Sequence, residues 1–337
     1  MDNNLYFNKK ILIIGGTGTI GKQLMMELLK CEPEVVRIFS RDEYKQFELQ
    51  QEMGNLSNIR YLIGDVRDQQ RLLMAMEDID FVFHLAAMKH VPACEYNPFE
   101  AVKTNVIGTQ NVIQAALDAG VERVLFTSTD KAIAPTNAYG ATKLTAERLI
   151  SAANYQKGPK NTIFSSVRFG NVMGSRGSVI PLFKKQIMEK GYVTVTNKEM
   201  LRYMMTPTQA ISLMLKANAI AYGGEVFVLK MPVIRLQDLV EIIVEEMENQ
   251  NSSNNKVDIK EIGLRPGEKM YEELMTEDEG RMALETDDMY IIRPSYGATG
   301  EEYPNLMTPT YQKVHPHEEA VIPKEILKTW ILEENLL

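Results

Sequence analysis

The chain has 337 residues, 45% hydrophobic and 24% charged, enough to bury the core of one large domain or of two unequal ones. A net charge of −8 argues against the basic footprint that nucleic acid or anionic lipid requires, so an anionic ligand must be held by a few local cations and backbone amides. Two cysteines, Cys31 and Cys94, without metal-ligand spacing or a histidine cluster, support neither a disulfide framework nor a metal site.

The opening "MDNNLYFNKK" lacks a basic region followed by an apolar run, and no stretch approaches the ~18 apolar residues of a membrane span. The expectation is a cytoplasmic chain without a membrane partner. Along the first half, "KKILIIGG", "VVRIFS", "IRYLIGD", "FVFHLAA", "RVLFTST" and "TIFSSVRFGN" read as strands rich in Ile, Val and Phe. Between them, segments such as "GKQLMMELLKC" and "NVIGTQNVIQAALDAG" carry apolar residues at i, i+3, i+4 and end in turn residues. This alternation predicts an α/β fold over residues 1–172, a doubly wound parallel sheet with helices on both faces.

After residue 172 the rhythm breaks into a Gly/Ser loop "MGSRGSVIP", a helix "LFKKQIMEK" starting near Pro181, a short "VTVT", and the amphipathic helices "TPTQAISLMLKANAIA" and "LQDLVEIIVEEMEN". Residues 173–294 are expected to form a smaller mixed domain that completes a site as a lid, with room for the chain to return to the first domain. The run at 249–256 reads as a solvated polar loop. The tail, 295–337, is irregular until the helical "KEILKTWILEENLL", and its role is open.

"ILIIGGTGTIGKQL" sets Gly15, Gly18 and Gly21, with Thr17, Thr19 and Ile20 between them, after a strand and at the opening of a helix. Glycines there permit a tight turn and let the backbone approach a pyrophosphate at the helix N-terminus, which makes the first domain Rossmann-type. The second strand closes with Ser40 and Arg41, with Lys45 a turn beyond; cations at this strand end favour the 2′-phosphate of NADP over NAD, despite the adjacent Asp42. Asp65 and Val66 after the third strand are expected at the adenine, and Ala86 and Ala87 after the fourth allow close approach to the cofactor. Lys89 and Asn105 are expected to join them, whereas His84 and His90 read as structural.

Tyr139 and Lys143, four apart on the helical "AYGATKLTAERLI", share one face. A phenol with pKa ~10 is a poor base at neutral pH, and a neighbouring ammonium beside an oxidised nicotinamide favours the phenolate. Thr129, ending the preceding strand, can hydrogen-bond the same substrate hydroxyl. Together with the nucleotide fingerprint these residues predict hydride transfer.

From "GGTGTIG" through "AAMKHVPACEYNP", "KTNVIGT", "STDKAIAPTNAYGATK" and "RFGNVMGSRGSVIPLF" to "LRPGEKMYEEL", the chain resembles the extended short-chain dehydrogenase/reductases. Within them it looks most like the inverting UDP-N-acetylglucosamine 4,6-dehydratases of capsule synthesis and flagellin glycosylation. The resemblance implies catalytic roles for Thr129, Asp130, Lys131, Tyr139 and Lys143, with Tyr139 and Lys143 also contacting the cofactor. A 4-epimerase needs only the Thr, Tyr and Lys. A dehydratase must also remove the C5 proton and expel the C6 hydroxyl, so it needs a further base and acid, here Lys131 and Asp130. Adjacent residues at a strand end point apart, so these two are expected to diverge around the sugar.

The resemblance further implies UDP-N-acetylglucosamine or a close UDP-sugar as substrate, held by Lys89, Asn171, Ser178, Val179, Arg202, Arg265 and Glu268, while "LFKKQIMEK" reads on its own residues as a solvated basic face, with a phosphate neighbour at Lys184 as the alternative. It also implies a homo-oligomer, dimer or hexamer. The competing expectations are a UDP-sugar 4-epimerase and a non-catalytic NADP-binding sensor.

Overall fold

Ile11, Leu12, Ile13 and Ile14 are all fully shielded from solvent in the computed structural model, which a strand achieves only with layers packed on both faces. The structure describes residues 5–54, 56–250, 256–265, 267–294, 303, 306–307 and 321–337. The first part runs β1 (Lys10–Ile14), α1 (Thr19–Leu29), β2 (Val35–Ser40), α2 (Glu43–Met53), β3 (Ile59–Ile63), α3 (Gln69–Met76), β4 (Phe81–His84), α4 (Val91–Tyr96), α5 (Pro98–Ala101), α6 (Gly108–Ala119), β5 (Arg123–Thr127), α7 (Ala138–Gln156) and β6 (Ile163–Arg168). The second runs β7 (Asn171–Val172), α8 (Val179–Lys190), β8 (Tyr192–Val195), β9 (Leu201–Met205), α9 (Pro207–Ile220), β10 (Val226–Leu229), β11 (Val233–Arg235), α10 (Leu236–Gln250), β12 (Asp258–Glu261), α11 (Glu277–Met282), β13 (Leu284–Glu285), β14 (Met289–Ile292) and α12 (Lys324–Glu333).

The main sheet is ordered β3-β2-β1-β4-β5-β6-β10, all parallel, and β14 and β13 extend it antiparallel beyond β10. The strand order reverses between β1 and β4, which opens a crevice at their carboxyl ends. One apolar layer joins Ile11 and Ile13 to Leu24 of α1 and Met214 of α9. The opposite layer joins Leu12 and Ile14 to Leu72 of α3, Val112 of α6 and Ile150 of α7. A third cluster, built by Phe183, Val193, Leu239, Ile243, Leu327 and Ile331, lies wholly in the second part.

The chain after residue 172 therefore serves two bodies: α9, β10, β13 and β14 return to the large sheet, while α8, α10 and α12 close the third cluster. Two local features departed from the simple helical reading. The segment before α6 is a π-helical stretch, Val102–Ile107, whose wider turn carries the buried Asn105. After β5 the chain makes one 3-10 turn, Asp130–Ala132. Of the polar loop expected at 249–256, Asn249 and Gln250 belong to α10 and 251–255 lie outside the described residues. Among the described residues no helix is long and apolar enough to cross a membrane, and no group of three or more His, Cys, Asp or Glu could hold a metal ion.

Candidate active site

Gly15 ends β1 at φ +87°, and a Cβ there would lie 2.9 Å from the Ala86 nitrogen at the end of β4. The two strand ends can close on each other only with glycine at this position. Helix α1 starts directly afterwards with Gly18 as N-cap and no side chain bonded to its first amides, which leaves those donors facing the crevice. A cleft of about 810 Å³ opens there. Of the residues expected at the cofactor, Gly15, Thr17, Gly18, Thr19, Ile20, Gly21, Ser40, Arg41, Lys45, Val66, Ala86, Ala87 and Lys89 line it.

Asp65 and Asn105 do not line the cleft. The Asp65 carboxylate is taken by Arg67, whose Nη2 donates to Oδ2 at 2.8 Å, with Arg41 Nη1 3.6 Å away. Asn105 accepts from the Met88 amide (2.8 Å) and donates to the Met88 carbonyl (3.0 Å) and Thr142 Oγ1 (3.0 Å), so it braces the loop that carries Ala87. At the rim, Lys45 Nζ pairs with Asp42 at 2.6 Å and holds that carboxyl below its ordinary range. Arg176, which sequence reasoning did not single out, also lines the cleft, and its amide donates to Thr19 Oγ1 at 3.1 Å. The quoted "MGSRGS" loop contained it, but nothing local indicates that a residue 157 positions away from Thr19 will close over the glycine turn.

A smaller cavity of about 270 Å³ adjoins the cleft, sharing Ile20, Ala87, Lys89 and His90, and it gathers Thr129, Lys131, Tyr139, Lys143, Asn171 and Ser178. Helix α7 begins with Asn137 accepting from the Gly140 amide, so Tyr139 and Lys143 stand on its first two turns. Gly140 is obligatory in another sense: a Cβ would lie 2.0 Å from the Lys131 carbonyl oxygen, so its hydrogen lets α7 rest on the Asp130–Ala132 turn. Lys143 is buried; its Nζ donates to the Thr127 carbonyl and lies 3.9 Å from the Phe126 ring centroid. Burial draws its pKa down to about 7, against the pull of Glu147 one turn further along. Burial pushes the Tyr139 hydroxyl up; a hydrogen bond with Thr129 works the other way, and the charge of Asp130 adds to the rise. His84 sits in the core of β4 with Nε2 3.1 Å from Thr109 Oγ1, and burial draws it down to about 3, as a structural residue. His90 instead lies exposed at the rim of both cavities.

The expected divergence of Asp130 and Lys131 is corrected by the structure. Lys131 Nζ lies 3.0 Å from Asp130 Oδ1, because the pair begins a 3-10 turn rather than continuing the strand, and strand alternation does not apply. Asp130 is fully buried and absent from the cavity wall; its Oδ1 also accepts from Thr129 Oγ1 at 2.9 Å, while Oδ2 is buried without a hydrogen-bond partner. Lys131 does face the cavity, with a second carboxylate, Glu272 Oε1, 3.9 Å from its amine. Glu272 was missed because only tertiary packing brings it there.

Among the residues expected at the substrate, Asn171 Nδ2 donates to the Tyr203 carbonyl at 3.3 Å, and Ser178, the N-cap of α8, keeps a buried Oγ without a hydrogen-bond partner. Val179 opens α8, two residues before the expected start, and does not line the cavity. Arg202 reaches neither cavity: its guanidinium donates to the carbonyls of Leu201, Lys269 and Met270, each at 2.8 Å, which ties β9 to the "RPGEK" segment. Arg265 is exposed, and its amide donates to Glu268 Oε2 at 3.2 Å; Pro266 lies outside the described residues. Lys184 Nζ donates to the Leu336 carbonyl at 3.2 Å, so it holds the C-terminal tail.

A parallel sheet with a glycine turn at its switch point, and a Thr-Tyr-Lys cluster at the crevice, define a Rossmann protein of the short-chain dehydrogenase/reductase type. The chain belongs to the polysaccharide biosynthesis protein family, whose profile matches residues 11–294. It is 44% identical over 292 residues to a UDP-N-acetylglucosamine 4,6-dehydratase (inverting) of Campylobacter jejuni, covering 86% of this chain and 84% of that one. A UDP-glucose 4-epimerase of Rickettsia conorii is 38% identical, with the same two coverages of 86% and 84%. The crystal structure of Pen from Bacillus thuringiensis superposes with TM-score 0.92 at 55% identity, over 98% of this chain and 99% of that one.

Proposed function

We propose that the chain is an inverting UDP-N-acetylglucosamine 4,6-dehydratase working with NADP. The observation that carries this reading is the presence of Lys131 in one cavity with Thr129, Tyr139 and Lys143. Three of the four suffice for an epimerase; a second amine held against carboxylates gives the site an additional proton-transfer group. The cleft suits a dinucleotide: the open amides of α1 meet the pyrophosphate, and Arg41, Lys45 and Arg176 offer positive charge at the rim. A dinucleotide held there would supply the hydride chemistry, removal from C4 and return to C6.

In this reading Tyr139, hydrogen-bonded to Thr129, takes the O4 proton, and Lys143 stabilises the phenolate. The 4-ketone that results acidifies C5–H. Neutral Lys131 takes that proton, and the ammonium so formed delivers it to the C6 oxygen as water departs. Asp130, 3.0 Å behind the amine and walled off from the cavity, stabilises the ammonium rather than meeting the sugar itself. C5 takes a proton back from the opposite face, so the product carries solvent hydrogen there. Two protons leave the sugar, from O4 and C5, and two are returned, one to the departing oxygen and one to C5.

Residues 1–172 hold the cofactor in this scheme, and 173–294 contribute the UDP-sugar contacts. The 4-epimerase reading draws support from the Rickettsia relative. Incubation with UDP-N-acetylglucosamine and mass spectrometry separates the two: dehydration removes one water, whereas epimerisation gives an isomer of unchanged mass, which would overturn the proposal.

A further inference from the structure

Lys131 can take the C5 proton only after giving up its own, and the question is which group receives it. The nearer carboxylate, Asp130, is walled off from the cavity: its Oδ1 accepts from both Thr129 Oγ1 and Lys131 Nζ, and its Oδ2 is buried without a hydrogen-bond partner. The other carboxylate facing the amine is Glu272, 5% exposed, at 3.9 Å. It arrives on a strap from the C-terminal part that is fastened to the catalytic loop at several points. The Gly267 carbonyl accepts from Thr136 Oγ1 (3.0 Å) and Asn137 Nδ2 (3.3 Å), and Lys269 Nζ donates to the Ile133 carbonyl at 3.2 Å. Arg202 donates to two further carbonyls of the strap, Lys269 and Met270.

We propose that Glu272 is the positioning residue for Lys131: it steers the amine between two carboxylates and takes up the ammonium proton, freeing Lys131 to act as the C5 base. The inference rests on the dehydratase reading above. The charged groups facing Glu272 are Lys131, Asp130, Arg202 and Lys269. Burial pushes its carboxyl above the ordinary range, Lys131 opposes that, and Asp130 reinforces it, so the carboxyl is suited to hold a proton. The exchange balances: Lys131 ammonium and Glu272 carboxylate become amine and carboxylic acid with no change in net charge. Over the neutral range the working form is therefore a fixed fraction of the pair, and turnover is insensitive to pH.

The test compares Glu272→Gln and Glu272→Asp with the unaltered protein, each loaded with NADP and given UDP-N-acetylglucosamine. Near-ultraviolet absorbance reads cofactor reduction, which in this scheme needs Thr129, Tyr139 and Lys143 but not Lys131; mass spectrometry reads water loss. Glu272→Gln is expected to keep cofactor reduction within about twofold and to lose water about 10²-fold more slowly. Its kcat should also lose the flat pH profile, because the ammonium proton must then go to solvent instead of to an internal acceptor, whereas Glu272→Asp should restore much of the rate and the flat profile. Full water loss by Glu272→Gln with a flat profile sinks the inference and leaves the dehydratase reading standing. Joint loss of cofactor reduction and water loss in both variants sinks it as well, making Glu272 a mere brace of the strap. Absence of water loss in the unaltered protein overturns the dehydratase reading itself, before any variant is compared.

Discussion

Lys143 and Lys131 open on the same cavity under opposite conditions. Lys143 is 2% exposed, set against a backbone carbonyl and the Phe126 ring, and the nearest carboxylate along its helix, Glu147, is bound by Arg168. Lys131 has a side chain 21% exposed and stands between Asp130 and Glu272. Burial tunes the first amine; paired carboxylates position the second. Their origins differ too: in the proposed scheme the hydride half of the site comes from one strand and helix, residues 127–143, whereas the elimination half also needs β9 and the 267–272 strap. Under that proposal, oxidation and reduction at a sugar carbon fall to a local unit, and elimination is added by distant chain folded over it.

The sharpest way to break this division is to remove one acid-base group from each half. Tyr139→Phe should lower cofactor reduction and water loss together by about 10⁴-fold, the upper end for a positioned acid-base group. Lys131→Ala should lower water loss and C5 deuterium exchange by a similar factor while cofactor reduction persists. Stopped-flow absorbance beside mass spectrometry reads both, and undiminished turnover by Lys131→Ala would end the assignment of separate halves.

A smaller effect probes what joins them. Arg168 is fully buried, with Nη2 2.6 Å from Glu147 of α7 and Nη1 2.8 Å from Glu279 of α11, and it also donates to the Leu274 carbonyl at 3.0 Å. It therefore bolts α7, which carries Tyr139 and Lys143, to the segment that follows the strap. Arg168→Met leaves Glu147 buried without its cation and Glu279 with only the half-exposed Arg148 at 3.3 Å, and urea unfolding should register a loss of about 3 kcal/mol or more. A loss under about 1 kcal/mol would mean that the two segments are held by packing alone.

The sequence made the hydride half readable because its signals are local. Continuous apolar runs marked β1 to β6, glycine spacing marked the turn at Gly15, and Tyr139 with Lys143 share a helical face. The elimination half was half-legible: Asp130 and Lys131 stood out as a motif, yet strand alternation gave the wrong relation between them, since a 3-10 turn begins there. Arg202 carried the chemistry of a phosphate ligand, but the structure spends its donors on three carbonyls. Arg176, Glu272 and the bracing role of Asn105 depend on contacts tens to more than a hundred residues apart, which no periodicity encodes.

The pH behaviour of Lys143 sharpens the claim that burial tunes it. With the folded pKa near 7 and the ordinary value 10.5, the unfolded chain binds one more proton than the folded one between those pH values. Folding stability from this group therefore rises with pH across that window, and the penalty for burying the ammonium is fully present below pH 7. Lys143→Met should unfold at higher temperature than the unaltered protein at pH 7, and the gap should close as pH approaches 10. A gap independent of pH would contradict a desolvated amine.

The smallest expected effect concerns the cleft that feeds both halves. Arg41 has a side chain 57% exposed and only a loose 3.6 Å contact with Asp65, so its charge is available to a further phosphate, whereas Lys45 is already paired with Asp42 at 2.6 Å. Arg41→Ser should weaken NADP binding about tenfold, the order of one charge-assisted contact, and leave NAD nearly unchanged, as read by fluorescence titration with each dinucleotide. Equal loss for both would make Arg41 a platform for the adenine instead of a ligand of the 2′-phosphate. Because NADP and NAD differ only at that phosphate, far from C4 and C6, the variant saturated with either cofactor should keep the same ratio of cofactor reduction to water loss. A changed ratio would mean that the cleft and the two halves of the site are coupled rather than assembled side by side.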